Sequence, residues 1–131
     1  MRLTTRRIQD SDYNEYLVPW WKDWGWEPLP ADFLPRIGVM VMIDGEPFCA
    51  GFFYITNSKV CWVEWVVSKR ERHELRKDAI TLLVSTLTDM AQSIGCKYVY
   101  TLLKNQSLIN TYKSLGYVKG SENQVEMIKR L

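Results

Sequence analysis

The chain has 131 residues, of which 47% are apolar and 24% charged, and its formal net charge is +2. A chain of this length is expected to form a single domain, residues 1–131, with a core of ordinary globular size. The nearly balanced charge argues against nucleic acid as a partner. No apolar run approaches the roughly 18 residues of a membrane-spanning helix and no secretion signal is visible, which favours a soluble cytoplasmic protein without a membrane partner.

The cysteines and the single histidine do not indicate metal chemistry. Cys49, Cys61 and Cys96 lack the spacing of metal ligands, and His73 is the only histidine. An odd number of cysteines without a secretion signal predicts reduced thiols. We therefore expect no metal site.

The N-terminal part of the chain predicts a strand, a helix and an irregular connection. Leu3–Ile8 is the expected first strand. Asp10 or Ser11 is placed to cap the helix that follows, and Pro19 should end or kink that helix. The segment "GWEPLPADFLPR", residues 25–36, contains three prolines and predicts a loop with at most a short second helix.

The middle of the chain predicts an antiparallel meander. Two apolar runs in "VMVMIDGEPFCAGFFYITN" flank Asp44 and Gly45, a pair that favours the positive φ angles of tight hairpin turns. A second turn leads to a third apolar run, "VCWVEWVV", at residues 60–67. The meander should therefore extend from about Val39 to Val67.

The C-terminal half predicts two helices around one further strand. Apolar residues recur at three- and four-residue steps from Leu75 to Ile94, and Gly95 is placed to end this long helix. The strand "KYVYTLL" follows, and a helical crossover implies that it pairs in parallel with the last strand of the meander. Asn105 should cap a final helix that ends at Gly116.

A closing hairpin with Gly120 in its turn is expected in "YVKGSENQVEMIKR", residues 117–130. The predicted order of elements contains only one strand–helix–strand crossover, which excludes a doubly wound nucleotide-binding fold. The fold class is therefore α+β, with a mixed, mostly antiparallel sheet of six to seven strands and helices on its faces.

The most specific motif is "NQSLINTYKSLGY", residues 105–117. Asn105, Leu108, Tyr112 and the Gly116–Tyr117 pair fall where GNAT N-acetyltransferases commonly carry Asn, a small or apolar residue, Tyr and Gly-Phe. The hairpin "DGEPFCAGF" also resembles the second and third strands of that family. The resemblance covers nearly the whole chain and implies a GNAT-like fold whose fourth and fifth strands are parallel and splay apart.

The resemblance also implies roles for residues at the start and end of the last helix. An acyl-CoA arm would enter between the splayed strands, with Tyr112 as general acid towards the thioester sulfur. A phenol with an ordinary pKa of about 10 is protonated at neutral pH and can donate to a leaving thiolate. From the residues alone, Tyr112 can equally be an amphipathic core residue. Asn105 can bind CoA or simply cap its own helix.

Glu64, in "CWVEWVV", is the second catalytic candidate. Strand alternation places Trp62, Glu64 and Val66 on one face, and a carboxylate on an apolar strand is costly unless it is paired or open to a cleft. Burial would raise its pKa towards that of a general base for the acceptor amine, whereas an edge position would leave it paired or solvated. The resemblance further implies that backbone near Val66 and Val67 polarises the acyl carbonyl.

The chain departs from the GNAT pattern at the loop that normally cradles the CoA pyrophosphate, because it has no glycine between Gly51 and Gly95. Basic side chains could replace the loop's backbone N–H groups, or the mixed-charge run "SKRERHELRK" could be a solvated face on a shell that no longer binds CoA. The candidate phosphate-binding side chains are those of Lys69, Arg70, Arg72, Arg76 and Lys77.

Six tryptophans are present, and four of them lie between residues 20 and 26. Trp20, Trp24 and Trp62 are the candidate acceptor-binding residues, while the Trp-rich segment could instead be a homodimer or protein-contact surface or a lid over the sheet. The sequence thus predicts an acyl-CoA-dependent N-acyltransferase, with acetyl-CoA as cosubstrate and a small-molecule or protein amine as acceptor. The alternative is a non-catalytic GNAT-like binding or assembly module.

Overall fold

The computed structural model describes residues 1–131 and is organised around one mixed sheet of five strands. Neighbouring strands follow chain order across the sheet, and the first three pairings are antiparallel while the last is parallel. The predicted meander and its parallel neighbour are therefore confirmed. The strands are β1 (Leu3–Arg7), β2 (Gly38–Ile43), β3 (Glu46–Ile55), β4 (Val60–Ser68) and β5 (Tyr98–Tyr100).

Two of the three α-helices connect strands and the third follows β5, while a π-helical turn and a 3₁₀ turn lie in the segment between β1 and β2. The long helix and the last helix occupy the predicted positions. None of the helices combines the length and apolar character that crossing a bilayer requires. The helical elements are the π-turn Tyr13–Leu17, α1 (Val18–Asp23), the 3₁₀ turn Ala31–Phe33, α2 (Arg76–Ser93) and α3 (Gln106–Ser114).

Helices cover both faces of the sheet, and the alternation of β2 shows how. Val39 and Val41 face the larger core cluster, to which α2 contributes Leu83 and Leu87. Met40 faces the opposite, smaller cluster, which contains Leu17 and the two buried tryptophans of α1. Because β2 is apolar on both faces, it is covered on both sides.

The first helical segment begins differently from the expected capping by Asp10 or Ser11. The residue preceding the π-turn is Asp12, and its side chain makes no capping hydrogen bond. Asp12 is buried and instead accepts two hydrogen bonds from the Arg6 guanidinium, at 2.7 and 2.9 Å. Pro19 does not end the helix, because the chain changes from π- to α-helical geometry beside it and Pro19 falls in the first turn of α1, where its missing N–H is tolerated.

The turn and cap predictions are confirmed at two places. Asp44 and Gly45 adopt φ angles of 50° and 82°, as a two-residue hairpin between β2 and β3 requires. The Asn105 side chain accepts a hydrogen bond from the Leu108 N–H at 3.0 Å and so caps α3.

A β-bulge in β4 overturns the predicted alternation of its side chains. Glu64 is opposite Phe52 and Val67 is opposite Ala50, so β4 carries one extra residue across from Gly51. Trp65 takes a φ of +62°, the left-handed region that a bulge uses and that a non-glycine residue rarely adopts. Val66 consequently packs with the larger cluster and does not share a face with Glu64.

Gly51 is the counterpart of this bulge. A Cβ at Gly51 would lie 3.2 Å from Val66 Cγ2 and 3.0 Å from Leu87 Cδ1. The Val66 side chain therefore occupies space that is free only because residue 51 is a glycine. The bulge and the packing of α2 on the sheet therefore depend on the same position.

The predicted closing hairpin is wrong, and the sheet has five strands where six to seven were expected. Residues 118–131 form no strand and are exposed along their length, including Val118, Val125 and Met127. Lys119 pairs locally with Glu122, and β5 offers only three residues for pairing. Each apolar run in this segment is too short and too interrupted by charge to form a strand with a continuous buried face.

The expectation of three reduced thiols is also wrong, because Cys61 and Cys96 form a disulfide. Cys61 is the second residue of β4 and Cys96 precedes β5, and the parallel pairing brings together residues that are 35 positions apart in sequence. Cys49 remains a free, buried thiol, and burial raises its pKa to about 12.

We predict that Gly51→Ala destabilises the protein by about 1–3 kcal/mol, the usual effect of overpacking a core. The added methyl group would press on Val66 and Leu87. Urea denaturation measures the change. Gly120→Ala is the matched control, since nothing lies within 4 Å of a Cβ there. Equal stability of the two variants would contradict this account of the bulge.

Candidate functional site

The pairing of β4 with β5 ends after three residues, and the candidate site lies beside the unpaired part of β4 beyond that point, called here the β4–β5 gap. Their pairing runs from Val60–Tyr98 to Trp62–Tyr100, whereas β4 continues to Ser68. The backbone of β4 from residue 63 onwards therefore has no strand neighbour on that side. A parallel pair that diverges in this way leaves a gap whose edges carry unpaired backbone groups.

Glu64 lies where the two strands diverge. Its Oε1 accepts a hydrogen bond from the Leu102 N–H at 3.0 Å, across the gap, and lies 3.5 Å from the Thr101 hydroxyl. Burial raises the pKa of the Glu64 carboxyl to about 7, although these two neighbours oppose the shift, and the nearby Glu126 raises the pKa further. A carboxyl group that titrates near neutral pH can both accept and release a proton there.

A pocket of about 410 Å³ opens beside Glu64. Its position on β4 depends on the bulge, because the extra residue places both Glu64 and Trp65 on the pocket side. Aromatic rings dominate the wall, and none of the lining side chains is cationic. The lining consists of Phe33, Tyr54, Thr56, Trp62, Glu64, Trp65, Leu102, Glu126 and Ile128.

Hydrogen bonds hold the aromatic wall in place. The Trp65 indole N–H donates to the Tyr54 hydroxyl at 2.9 Å, and that hydroxyl donates to the Phe33 carbonyl at 2.7 Å. Phe33 and Trp65 also pack edge to face, with ring centroids 5.6 Å apart. Because each ring is constrained by the next, the wall is preorganised.

The C-terminal segment supplies two lining residues that sequence analysis missed, Glu126 and Ile128. Residues 118–131 have no regular structure, yet these two of them reach the pocket wall. No periodic sequence pattern indicates that these residues line a pocket. The only sequence feature is a Glu beside apolar residues in a segment that was predicted to form a hairpin.

Tyr112 is buried in the larger core cluster, 2% exposed, with its ring edge-on to Tyr117 at 4.8 Å between centroids. Its hydroxyl is buried and has no hydrogen-bond partner. Burial raises the pKa of this hydroxyl, Tyr117 and Glu64 raise it further, and the neighbouring Thr101 hydroxyl opposes the shift without reaching hydrogen-bond geometry. A buried hydroxyl without a hydrogen-bond partner is a rare and costly feature.

Among the predicted basic residues, Arg76 organises the loop after β4. Its guanidinium donates to Ser68 Oγ at 2.5 Å, to the Lys69 carbonyl at 2.6 Å and to the Glu71 carbonyl at 2.7 Å. It also lies over the Phe48 ring, 5.2 Å from the centroid. Arg76 therefore holds together a loop that contains no glycine.

The other basic residues of this loop differ in whether their side chains already have a hydrogen-bond or ion-pair partner. Arg70 donates to the Asp23 carbonyl at 2.9 Å, and Lys69 lies 3.8 Å from Glu71. Arg72 and Lys77 are exposed and make no ion pair. Arg72 and Arg76 also line an open depression of about 480 Å³ at the start of α2.

Of the three candidate acceptor-binding tryptophans, only Trp62 lines the pocket with Glu64. Trp20 is buried, 4% exposed, in the smaller core cluster. Trp24 donates from its indole N–H to the Ser68 carbonyl at 2.7 Å and stacks on the half-exposed Trp26. No group of three or more His, Cys, Asp or Glu side chains is placed to hold a metal ion.

Solved structures with the same fold are found, whereas no family model and no curated protein matches the chain. An acetyltransferase from Trypanosoma brucei is 20% identical, with a TM-score of 0.69 over 98% of this chain and 100% of that one. Glucosamine-6-phosphate N-acetyltransferase from Arabidopsis thaliana is 13% identical, with a TM-score of 0.71 over 98% and 100%. AAC(6')-Iy, solved with the bisubstrate analogue CoA-S-monomethyl-acetylneamine, is 14% identical, with a TM-score of 0.67 over 100% of both chains. The chain therefore has the GNAT fold, as the sequence resemblance predicted.

We predict that Glu64→Gln stabilises the fold increasingly as pH rises. Below its unfolded pKa of about 4.5 the carboxyl is neutral in both states. Between that value and its folded pKa of about 7 the native state holds a proton that the unfolded state has lost, so the parent loses stability as pH rises. The melting-temperature difference between Glu64→Gln and the parent should grow from pH 4.5 to pH 7 and then level off.

The exposed Glu46 provides the control for this measurement. Glu46→Gln should show no such growth over the same pH window. A flat difference for Glu64→Gln would mean that Glu64 ionises as an ordinary exposed glutamate does.

Proposed function

We propose that the protein is an acyl-CoA-dependent N-acetyltransferase that transfers the acetyl group directly from acetyl-CoA to an amine. The observation that carries the proposal is the half-buried Glu64 carboxyl where the β4–β5 pairing ends, together with the Thr101 hydroxyl, which lies 3.5 Å from that carboxyl and also neighbours the buried Tyr112 hydroxyl. The fold supports it, since two of the similar structures are named acetyltransferases.

The residues around the gap fit acetyl-CoA. The orphan hydroxyl of Tyr112 lacks the acceptor that a thioester sulfur would provide. The unpaired edge of β4 near Val66 and Val67 offers backbone groups to the pantetheine arm, and Arg72 and Lys77 carry free positive charge for the pyrophosphate. When bound, acetyl-CoA supplies the activated acetyl group.

Glu64 serves as the general base. An amine that enters the pocket is protonated at neutral pH, and Glu64, with a pKa of about 7, accepts its proton directly or through a water molecule. The Leu102 N–H hydrogen bond orients the carboxylate for this step. The nitrogen can then attack the carbonyl carbon.

Tyr112 acts as the general acid for the leaving thiolate. Because burial raises its pKa, the hydroxyl is protonated when the thioester binds, and it would give its proton to the sulfur as the carbon–sulfur bond breaks. The proton that leaves nitrogen as the amide forms replaces the one delivered to sulfur. Backbone near Val66 and Val67 stabilises the charge on the carbonyl oxygen.

A second candidate function is a non-catalytic GNAT-like binding module. The glycine-free loop favours it, because Arg76 is engaged by three groups of its own loop and leaves only part of the basic run for phosphate. The half-exposed Trp26, which stacks on Trp24, would then be part of its contact surface for a second copy or a protein partner. Calorimetric titration with acetyl-CoA and with CoA separates the two functions, since the module should bind neither.

We predict that Tyr112→Phe lowers kcat by roughly 10²–10⁴-fold, the range for loss of a general acid. Stability should rise by about 1–3 kcal/mol, because the change removes a buried hydroxyl without a partner. Acetyl-transfer assays and urea denaturation measure the two effects.

Tyr117→Phe is the matched control for this variant. The Tyr117 hydroxyl forms a 2.6 Å hydrogen bond with the Thr88 hydroxyl, so its loss should reduce stability and leave kcat nearly unchanged. A Tyr112→Phe variant with normal turnover would remove Tyr112 from the proposed mechanism.

We predict that changing Arg72 and Lys77 together to Ala weakens acetyl-CoA binding and lowers its dependence on salt. These side chains are exposed and unpaired, so folding should be unaffected. Glu74→Gln, at an exposed neighbouring position, is the control. Unchanged affinity and salt dependence in the double variant would show that the run is a solvated face.

A further inference from the structure

The pocket beside Glu64 has a chemical character that narrows the acceptor class. It combines aromatic walls with two carboxyl groups, Glu64 and Glu126, and contains no basic lining residue. Resting on the proposed function, we infer that the acceptor is an aliphatic diamine or polyamine, whose reacting amine lies at Glu64 and whose second ammonium group lies at Glu126.

The aromatic wall fits the hydrocarbon part of such a molecule. Trp62, Trp65 and Phe33 present ring faces and edges, and Leu102 and Ile128 add aliphatic surface. An alkyl chain gains contact with these side chains, and an ammonium group gains attraction to the ring faces. A sugar or a phosphate ester would meet few hydrogen-bond donors in this lining.

Glu126 provides the second charge. It makes no ion pair, whereas Glu122 in the same segment is paired with Lys119. Glu126 is close enough to Glu64 to raise the pKa of that carboxyl, so two like charges face one pocket without compensation. A ligand with two positive charges can pair with both carboxyl groups, Glu64 and Glu126, and so cancels the repulsion between them. A monoamine can pair with only one of the two.

The same charges disfavour other amines. An acceptor that carries a carboxylate or a phosphate beside its amine would bring a negative charge towards Glu126, with no cationic lining residue to receive it. The order of preference should therefore be diamine, then monoamine, then amino acid.

The test uses three linear acceptors with the same four-carbon chain: diaminobutane, butylamine and aminobutanoate. kcat/KM with saturating acetyl-CoA should decrease in that order. Glu126→Gln should lower the ratio of kcat/KM for diaminobutane to kcat/KM for butylamine roughly fivefold, as loss of a partly exposed charge pair would, because any effect on Glu64 itself is common to both amines. Glu122→Gln, in the same segment but outside the pocket lining, should alter neither.

Two results would overturn the inference: equal rates for diaminobutane and butylamine in the parent, or an equal loss for both amines in Glu126→Gln. Calorimetric titration of the parent and of Glu126→Gln with diaminobutane alone separates this inference from the proposed function. Binding that weakens in Glu126→Gln supports the diamine site even if no acetyl transfer is detected, and absence of diaminobutane binding overturns it.

Discussion

A single extra residue in β4, opposite Gly51, sets the direction of the side chains on which the candidate site depends. With regular alternation, Trp65 would face away from Glu64, and the pocket would lose one of its walls. The bulge turns Trp65 to the same side as Glu64 and sends Val66 into the space that Gly51 leaves open. It also increases the bend of β4, which is already unpaired on its β5 side at this point.

The bulge and the gap are energetically unfavourable locally and must be stabilised by the rest of the fold. A non-glycine residue at positive φ costs about 1 kcal/mol or more, and a buried unpartnered hydroxyl costs a similar amount. Trp65 and Tyr112 carry these two features, and Glu64 adds a buried carboxyl with a raised pKa. The two core clusters on opposite faces of the sheet offset such costs through apolar burial. The concentration of unfavourable features around one gap is the usual sign of a functional site.

The structural features that the sequence predicted correctly depend on local residue preferences or on chain connectivity. Asp44 and Gly45 specify their turn by φ preference, Gly95 ends α2 at φ +94°, and the helical crossover requires parallel pairing of β5. The bulge at Trp65 is not predictable in this way, because tertiary packing against Gly51 compensates for a conformation that Trp disfavours. The Cys61–Cys96 disulfide and the approach of Glu126 to Glu64 join positions far apart in sequence, and no periodic pattern records such contacts.

The loop after β4 contains no glycine, and the Arg76 side chain orients its backbone. The carbonyls of Lys69 and Glu71 both turn towards the Arg76 guanidinium. In a trans peptide the C=O and the following N–H point in opposite directions, so the N–H groups of Arg70 and Arg72 are directed away from Arg76. In a glycine-rich loop, unusual φ angles allow several backbone N–H groups to point in one direction. In this loop the carbonyls of Lys69 and Glu71 point towards Arg76, so the N–H groups of the same peptides point away from it. Arg76 thus orients the backbone of this loop, and its charge adds to the positive field at the start of α2.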